Sequence, residues 1–374
     1  MLKNVIKSIV LLLTGVVLLS CDGKNDSKGP KTENLIITFD KNVVKPGETV
    51  KLQVYYKGKD VTSSAALYNG TGTDFNDVLM DKTSFSLPEV GKYYYWAGYN
   101  GEVSEVITIH VTDRDLPVVP QDPKSGSSDF VHRTFFNQHT GQDCQYCPRM
   151  VRKLNSVLSD STVTDKVVLS VIRNYNSKET GFANIKNPSG GWPYLVIDNV
   201  RSLDYDDRDE TFKALINDRT SRAAAAGIAA KADWYEETKE IVVTVAVKAA
   251  VAAEYNVGLW LMQDGYYAEQ TCPDSTFGES YSWHDNCVRV AESKYLGSHV
   301  GYPLAYIPEK GVRQWTYILK VDDSWFKYLD LDYSMLHFAA FVTTPVQKSY
   351  GIDYEVVNVI DFPYNGEVAF EYNK

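Results

Sequence analysis

The sequence predicts a multidomain protein in which an α/β unit lies between two all-β units, and three observations support this fold class. The chain has 374 residues and 44% hydrophobic content, which is enough for several separate cores. Apolar residues that alternate with polar ones, as in half-buried strands, dominate residues 34–113 and 224–374. Between them, residues 130–223 switch repeatedly between strand-like and helix-like periods.

The first 20 residues have the features of a secretory signal peptide. Lys3 and Lys7 precede an apolar run that is too short for a stable membrane span. The run ends in "LLSC", which resembles the bacterial lipobox, so we expect Cys21 to carry lipid and to anchor the chain to the bacterial membrane. An ordinary signal peptide with an incidental cysteine is the alternative. Residues 21–33 are polar and predict a flexible tether.

The segment 34–113 predicts an immunoglobulin-like β-sandwich. In "TVKLQVYY", Val50, Leu52 and Val54 alternate with polar residues, and "VITIHV" repeats this pattern near the end of the segment. Turn signals separate the strands at the spacing of a sandwich. The following residues 114–129 contain three prolines and then Gly and Ser, which predicts an interdomain linker.

The central segment 130–223 predicts α/β structure. "PRMVRKLNSVL" places Val151, Leu154 and Leu158 on one helical face, and "KVVLSVI" is a continuous apolar run typical of a strand covered on both sides. A further strand, "PYLVIDN", and a second helical pattern, "DRDETFKALINDRTSR", complete the order. Residues 224–374 return to alternation, as in "EIVVTVAVK", and predict a second β-sandwich.

Two cysteines three positions apart, in "HTGQDCQYCPRM", are the strongest chemical motif. A cysteine at a helix N-terminus has its thiolate stabilised by unpaired backbone N–H groups and by the helix dipole. Cys144 is therefore the predicted nucleophile of a thiol–disulfide exchange, and Cys147 is the thiol that resolves the mixed disulfide. Pro148 is compatible with the first helical turn. A static structural crosslink between the two cysteines stays open as an alternative.

Other roles for the motif fit less well. A structural zinc site needs a second ligand pair, and the sequence has no other CxxC. Covalent haem needs histidine directly after the second cysteine, where Pro148 stands. We therefore predict neither a metal nor a cofactor.

A proline 49 positions after Cys144 adds to the redox interpretation. Pro193, in "GGWPYLV", directly precedes an apolar strand, where thioredoxin-like folds carry a cis-proline beside the dithiol. We predict a cis Trp192–Pro193 bond and expect Pro193 to belong to the catalytic site. A cis bond leaves the backbone of Trp192 open to an incoming peptide, so Trp192 is a predicted substrate contact, together with Gln145 and Tyr146 between the cysteines.

The segment "FFNQHTGQDCQYCPRM" resembles the strand, Thr-Gly and CxxC-Pro region of the Omp28-related outer-membrane lipoproteins of Bacteroidetes. "GLWLMQDGYYAEQ" and "HDNCVRVA" are similar to later segments of that family, although Cys287 takes a position that the family pattern does not give to cysteine. The likeness covers roughly residues 130–374. It implies a thioredoxin-like domain followed by a β domain and a location in the cell envelope, and we expect the outer membrane.

The remaining cysteines, Cys272 and Cys287, enclose a polar loop of fourteen residues. We predict a structural disulfide between them, which would stabilise the fold by about 3 kcal/mol in the chain-entropy model. The alternative is that they serve as a resolving or client pair for Cys144. Within this loop, His284, Trp283 and Tyr281 could form a ligand pocket, with ordinary loop packing as the other interpretation.

The formal net charge of −10 and the lack of a long basic run argue against nucleic-acid binding. Two functions remain. The first is a lipid-anchored envelope protein that exchanges thiols and disulfides on cysteine-containing envelope clients. The second is a non-catalytic binding or scaffold lipoprotein with a protein or glycan partner, in which the CxxC is a structural disulfide. Fold alone does not decide between them.

Overall fold

The computed structural model describes residues 34–74, 76–174, 179, 181–272, 279–326, 332–349 and 351–374. The predicted signal peptide, Cys21 and the tether lie outside the described residues. Among the described residues, none of the helices has the length and hydropathy needed to cross a membrane.

Ten strands form the N-terminal unit. They are β1 (Leu35–Phe39), β2 (Val43–Val44), β3 (Thr49–Tyr56), β4 (Lys59–Asp60), β5 (Ala66–Asn69), β6 (Val78–Met80), β7 (Ser84–Ser86), β8 (Gly91–Tyr99), β9 (Glu102–Val103) and β10 (Ile107–Val111). One sheet has the order β1-β3-β4 with β7 beside β3, and the other has the order β2-β10-β8-β5-β6 with β9 beside β8. The alternation predicted for Val50, Leu52 and Val54 is confirmed, since all three side chains are buried.

The central segment supplies four strands and two helices. They are β11 (Thr134–Thr140), α1 (Cys147–Leu158), β12 (Val167–Arg173), β13 (Tyr194–Ile197), β14 (Arg201–Leu203) and α2 (Asp209–Thr220). β11 pairs in parallel with β12 and antiparallel with β13. Both helices cover one face of these strands, where Phe136 packs with Met150, Leu154, Phe212 and Ile216.

The remaining strands follow in the C-terminal part. They are β15 (Ala226–Tyr235), β16 (Glu240–Ala249), β17 (Ala253–Gln263), β18 (Tyr266–Tyr267), β19 (Trp283–His284), β20 (Cys287–Glu292), β21 (Lys294–Tyr295), β22 (Ser298–His299), β23 (Tyr302–Ile307), β24 (Val312–Lys320), β25 (Leu336–Lys348), β26 (Gly351–Pro363) and β27 (Glu367–Val368). A four-stranded sheet has the order β24-β16-β15-β27. Its buried face shares one core with β17 and β25.

The prediction of a separate thioredoxin-like α/β domain at 130–223, followed by an independent C-terminal sandwich, is wrong. β12 pairs in parallel with β20 through Val171 and Cys287. The central strands therefore belong to one nine-stranded sheet with the order β14-β13-β11-β12-β20-β17-β25-β26, in which β23 also pairs with β17. The described part of the chain is mostly β, with 48% of its residues in strands and 11% in helices.

The physical reason for this fusion lies on the face of β11 and β12 that the helices leave uncovered. The sheet curls so that β26 approaches β11. Phe135 on β11 then packs against Trp260 and Phe341, with ring centroids 5.0 Å and 5.2 Å away. Because this apolar face is buried by C-terminal strands, residues 130–223 do not have a complete core of their own.

A partly buried ion-pair cluster joins α2 to β26 as well. Arg219 on α2 donates from Nε to Asp198 Oδ2 at 2.8 Å and pairs with Glu355 on β26. Asp198 also accepts a hydrogen bond from the backbone N–H of Phe135 at 2.7 Å. Burial raises the pKa of the Asp198 carboxyl to about 6, although the Arg219 charge opposes the shift.

The N-terminal unit and the predicted linker both contact the C-terminal part. The side-chain amide of Asn42 donates to Thr316 O at 2.7 Å and accepts from Thr316 N at 2.9 Å. Lys248 has a side chain that is only 2% exposed, and its Nζ lies 2.7 Å from Asp122 Oδ2 in the segment 114–129. The Lys248 contact holds the segment 114–129 against β16.

Candidate functional site around Cys144 and Cys147

Cys144 and Cys147 form a disulfide at the start of α1. The backbone N–H of Cys147 donates to Cys144 O at 3.1 Å, and that of Cys144 donates to Gly141 O at 3.1 Å. Pro148 lies in the first turn of α1, as the sequence predicts, where its missing N–H leaves no helical hydrogen bond unmade. The motif is thus a tight turn that leads directly into the helix.

Both half-cystines are buried. Cys144 is 3% exposed and Cys147 is fully buried. The nucleophilic role predicted for Cys144 requires a sulfur that a second protein can reach in line with the disulfide. In this conformation the surrounding protein occupies that approach.

The CxxC loop is held by residues 264–272, which follow β17 and which we call the covering segment. Gln270 Nε2 donates to three carbonyl oxygens of the CxxC loop, namely Gly141 O at 3.3 Å, Gln142 O at 3.0 Å and Cys144 O at 3.1 Å. The backbone N–H of Thr271 donates to Gln142 O at 2.9 Å. Sequence reasoning missed Gln270, because nothing in "AEQTC" distinguishes it from an ordinary polar loop residue.

The base of the covering segment is held by a charged triad. Asp264 Oδ1 lies 3.2 Å from His337 Nε2, and Asp361 Oδ2 lies 2.8 Å from His337 Nδ1. Burial by itself would lower the pKa of His337, but its interactions with the two carboxylates outweigh it and raise this pKa to about 9. Asp264 also accepts a hydrogen bond from the backbone N–H of Asn286 at 2.8 Å.

The predicted cis Trp192–Pro193 bond is confirmed. Both residues are half-buried before β13, and the Trp192 indole Nε1 donates to Asn174 Oδ1 at 3.3 Å. Gln145 and Tyr146 lie on the surface, with Tyr146 42% exposed and its ring 5.2 Å from the guanidinium carbon of Arg149. Of the predicted substrate contacts, Gln145 and Tyr146 therefore lie on an exposed turn, whereas Trp192 lies in a turn that is half-buried.

The predicted disulfide between Cys272 and Cys287 is wrong, since both residues carry thiols. Cys287 is fully buried at the start of β20, and burial raises the pKa of its thiol to about 12. Cys272 ends the covering segment, where its sulfur lies 3.3 Å from Gln270 O. The sheet and the CxxC loop thus hold the two cysteines in different places, and the residues 273–278 between them lie outside the described part of the chain.

A cavity of about 330 Å³ lies on the other side of α1, between this helix, β11–β12 and β19–β20. It is lined by Gln138, Thr140, Val151, Leu154, Asn155, Leu169, Val171, Tyr281, Trp283, His284, Asp285 and Asn286. The three aromatic residues proposed from the sequence as a pocket, Tyr281, Trp283 and His284, are among them. Burial lowers the pKa of His284 to about 3, so its imidazole is neutral at physiological pH.

A larger cavity of about 460 Å³ lies between the N-terminal unit and the C-terminal sheets. Its aromatic side chains are engaged with each other, as Tyr302 stacks on Trp315 with ring centroids 5.2 Å apart. Tyr302 also donates from its hydroxyl to Glu292 Oε2 at 3.0 Å. These polar and aromatic groups already have partners, so we interpret the cavity as part of the interface between the N-terminal unit and the C-terminal sheets.

In the part of the chain that the structure describes, no group of three or more His, Cys, Asp or Glu side chains is placed to hold an ion.

Comparison with known proteins finds no matching family model and no matching curated protein. Among solved structures, HBP35 of Porphyromonas gingivalis aligns with a TM-score of 0.49 and 13% identity, over 63% of this chain and 76% of that chain. A DUF4785 family protein from Legionella pneumophila aligns with a TM-score of 0.19 and 8% identity, over 88% of this chain and 55% of that chain. With TM-scores below 0.5, neither likeness supports a conclusion about fold or function.

Proposed function

We propose that the protein is a lipid-anchored binding protein of the bacterial cell envelope, in which the Cys144–Cys147 disulfide is a structural crosslink. The observation that carries this proposal is the cover over the disulfide. Gln270 and Thr271 fasten the covering segment to the CxxC loop, and Cys144 is only 3% exposed beneath it.

The energetics of uncovering favour a static disulfide. Exchange with a client would require the covering segment to leave, which breaks the three contacts from Gln270 and the one from Thr271. The Gln270 amide shares its two N–H groups among these carbonyls, so at about 1 kcal/mol net for each hydrogen bond, opening costs about 3 kcal/mol before any chemistry begins. An enzyme of thiol–disulfide exchange gains nothing from such a barrier.

The binding role is supported by the cavity beside α1, which is open and lined by both apolar and polar side chains. Concave sites of this composition are where proteins take small ligands. The envelope location is supported by the "LLSC" motif at Cys21 and by the likeness of "HTGQDCQYCPRM" to Omp28-related lipoproteins.

An insulin-reduction assay tests the role of the disulfide. With dithiothreitol as the electron source, the wild-type protein should not accelerate insulin precipitation over the reductant alone, and Cys144→Ser should behave identically. Catalysis by the wild type that is lost in Cys144→Ser and increased in Gln270→Ala would instead establish a reactive dithiol gated by the covering segment.

Metabolic labelling with a palmitate analogue tests the anchor. The full-length protein expressed in a Bacteroidetes host should incorporate the label and partition with membranes, whereas Cys21→Ala should lose both properties. Label retained in Cys21→Ala would contradict the anchoring residue.

A further inference from the structure

The first described residue, Asn34, lies at one end of the molecule. It directly precedes β1, and its carbonyl accepts a hydrogen bond from the backbone N–H of Lys57, in the turn between β3 and β4, at 2.8 Å. Residues 21–33 connect Asn34 to Cys21. At about 3.5 Å per residue, this length of chain reaches up to about 45 Å. Lipid on Cys21 therefore allows this end of the molecule to contact the bilayer directly.

Three turns meet at this end. A Cβ atom added to Gly58, in the β3–β4 turn, would lie 2.9 Å from Glu254 Oε1 at the start of β17. The β23–β24 turn lies beside the β16–β17 turn, since the backbone N–H of Lys310 donates to Ala249 O at 2.8 Å. Tyr306 on β23 is the strand partner of Glu254. Together the three turns form what we call the anchor-side surface, made of residues 57–60, 249–254 and 306–313.

Three large apolar side chains are exposed on the anchor-side surface. Val251 is 58% exposed, Tyr306 is 45% exposed and Val312 is 46% exposed. Val312 begins β24 opposite Lys248, so it lies next to the turn that carries Val251. Exposed apolar side chains that lie together in this way indicate a contact surface.

Basic side chains accompany the apolar ones. The anchor-side surface has four cationic side chains, namely Lys57, Lys59, Lys310 and Arg313. Its carboxylates are Asp60, Glu254 and Glu309. Glu254 is half-buried against Gly58, whereas the three lysines are exposed. In a chain with a formal net charge of −10, this surface thus has a small excess of positive charge, which suits an anionic partner.

We propose that the anchor-side surface lies against the bilayer, where Val251, Tyr306 and Val312 enter the headgroup region and the lysines contact anionic lipid headgroups. The inference rests on the lipid anchor of the proposed function and adds the orientation of the anchored protein. Tyrosine and lysine both suit the boundary between lipid and water, because each has an apolar body and a polar tip. Anionic headgroups add an electrostatic attraction to the basic side chains.

This orientation directs the CxxC loop away from the bilayer. β17 starts at Ala253 on the anchor-side surface and ends at Gln263, where the covering segment follows. With 11 residues at about 3.3 Å each, β17 places the covering segment about 35 Å from the headgroups. The cavity beside α1 lies at the same far end, since its lining residue Asp285 accepts from the backbone N–H of Gly265 at 2.9 Å. A ligand could then reach the cavity from the surroundings.

Lysine acetylation read by mass spectrometry tests the orientation. The lipidated full-length protein is compared in vesicles that contain phosphatidylglycerol and in micelles of a non-ionic detergent. Lys57, Lys59 and Lys310 should be acetylated at least threefold more slowly on the vesicles, because the bilayer covers them. Lys186 is the internal control, since it is exposed in the segment after β12 at the far end, and it should react equally in both.

Substitutions on the surface localise the contact. Val251→Ser/Tyr306→Ser/Val312→Ser removes the apolar side chains and should return lysine acetylation on vesicles to within twofold of the detergent value. An unchanged urea midpoint verifies that the triple variant is folded. Val90→Ser is the matched control, because Val90 is 61% exposed in the turn between β7 and β8, at the other end of β3, and this variant should keep the protection.

Replacing phosphatidylglycerol by phosphatidylcholine tests the charge. Protection of the three lysines should then fall by at least half. Equal protection on both kinds of vesicle would overturn the contact with anionic headgroups.

The orientation is overturned by any of three results: no slowing of the three lysines, equal slowing of Lys186, or slowing that persists in the triple variant. Protection that occurs only in intact cells would assign the surface to a protein partner instead. The palmitate label reports failure of the anchor separately. A labelled protein without lysine protection would keep the anchor and end the orientation alone, whereas an unlabelled protein would end both.

Discussion

The N-terminal end of α1 and its flank make opposite use of polar groups. At the end, the CxxC loop is closed, and Gln270 shares its two side-chain N–H groups among three carbonyl oxygens of the loop that contains the buried disulfide. At the flank, the cavity is open, and Gln138 keeps a buried amide without an acceptor among the described residues. The CxxC motif, which has the more reactive chemistry, thus lies where the polar groups have hydrogen-bond partners. The amide without a partner among the described residues lies at the cavity, where the sequence shows no motif.

A CxxC motif at a helix N-terminus therefore indicates a reactive dithiol only where the rest of the chain leaves the sulfur atoms accessible. Helix dipole and spacing are local properties, whereas the cover comes from a segment more than 120 residues away in sequence. Substitutions in the CxxC loop, in the covering segment and at its base test this contrast.

Removing the crosslink should have the largest effect. Cys144→Ser/Cys147→Ser should lower the free energy of unfolding by about 2 kcal/mol in the chain-entropy model for so short a loop. Urea denaturation measures the change, and Cys272→Ser, which alters a thiol outside the disulfide, is the control. An unchanged urea midpoint in the double variant would contradict a structural role.

Removing the cover should have the next largest effect. Gln270→Leu leaves three carbonyls without their side-chain donor and should cost roughly 1–2 kcal/mol. Reduction of the disulfide by a phosphine, followed by thiol counting, should become several-fold faster than in the wild type. Gln145→Leu, at an exposed position of the CxxC loop, should leave the rate unchanged, and equal rates for all three proteins would show that the cover does not limit access.

The charged triad at the base of the cover should make access depend on pH. The pKa of His337 is raised from its ordinary 6.5 to about 9, so its stabilisation is complete below about pH 6.5 and is lost as the pH rises through 9. His337→Gln should cost roughly 1–2 kcal/mol at pH 6, allowing for the half-exposed carboxylates, and close to nothing at pH 10.

Phosphine reduction between pH 6 and pH 10 tests this dependence. The wild type should be reduced faster above pH 9, while His337→Gln should be fast throughout. His110→Gln is the control, because burial lowers the pKa of His110 to about 4 and the residue is neutral across this range. A wild-type reduction rate that does not change through pH 9 would show that the charged triad does not hold the covering segment in place.

The smallest effect is expected at Tyr146, which is 42% exposed between the two cysteines. Tyr146→Ala should change the free energy of unfolding by about 0.5 kcal/mol or less, since it removes only a surface contact with Arg149. The rate of phosphine reduction should also stay the same, because the contacts of the covering segment are with Gly141, Gln142 and Cys144. A marked acceleration would place Tyr146 in the cover.

The features that the sequence predicts correctly are local ones. Val50, Leu52 and Val54 point into the core because a strand has a period of two. The cis Trp192–Pro193 bond is confirmed too, although its prediction rests on a thioredoxin-like domain that the structure does not show. The predicted face of α1 is close but shifted, since Leu154 is buried while Val151 and Leu158 are half-buried beside Met150 and Val157.

The features that the sequence does not reveal depend on pairing between distant segments. The contact of Val171 with Cys287 extends the sheet across the expected domain boundary, and no local period records which strands become neighbours. The same limit explains Cys287, which lies in β20 and forms no disulfide with Cys272. Likewise, nothing in the sequence of β11 shows that the Gln138 amide is buried without an acceptor among the described residues.

The continuous nine-stranded sheet has a practical consequence for dissecting the molecule. A fragment of residues 130–223 would expose the edge of β12 that β20 now covers, together with the Phe135 face that Trp260 and Phe341 now bury. Bare strand edges next to aromatic surface are templates for intermolecular pairing. Truncation at the boundary that the sequence suggests should therefore yield an aggregating piece, and soluble shortened versions should keep residues 130–374 together.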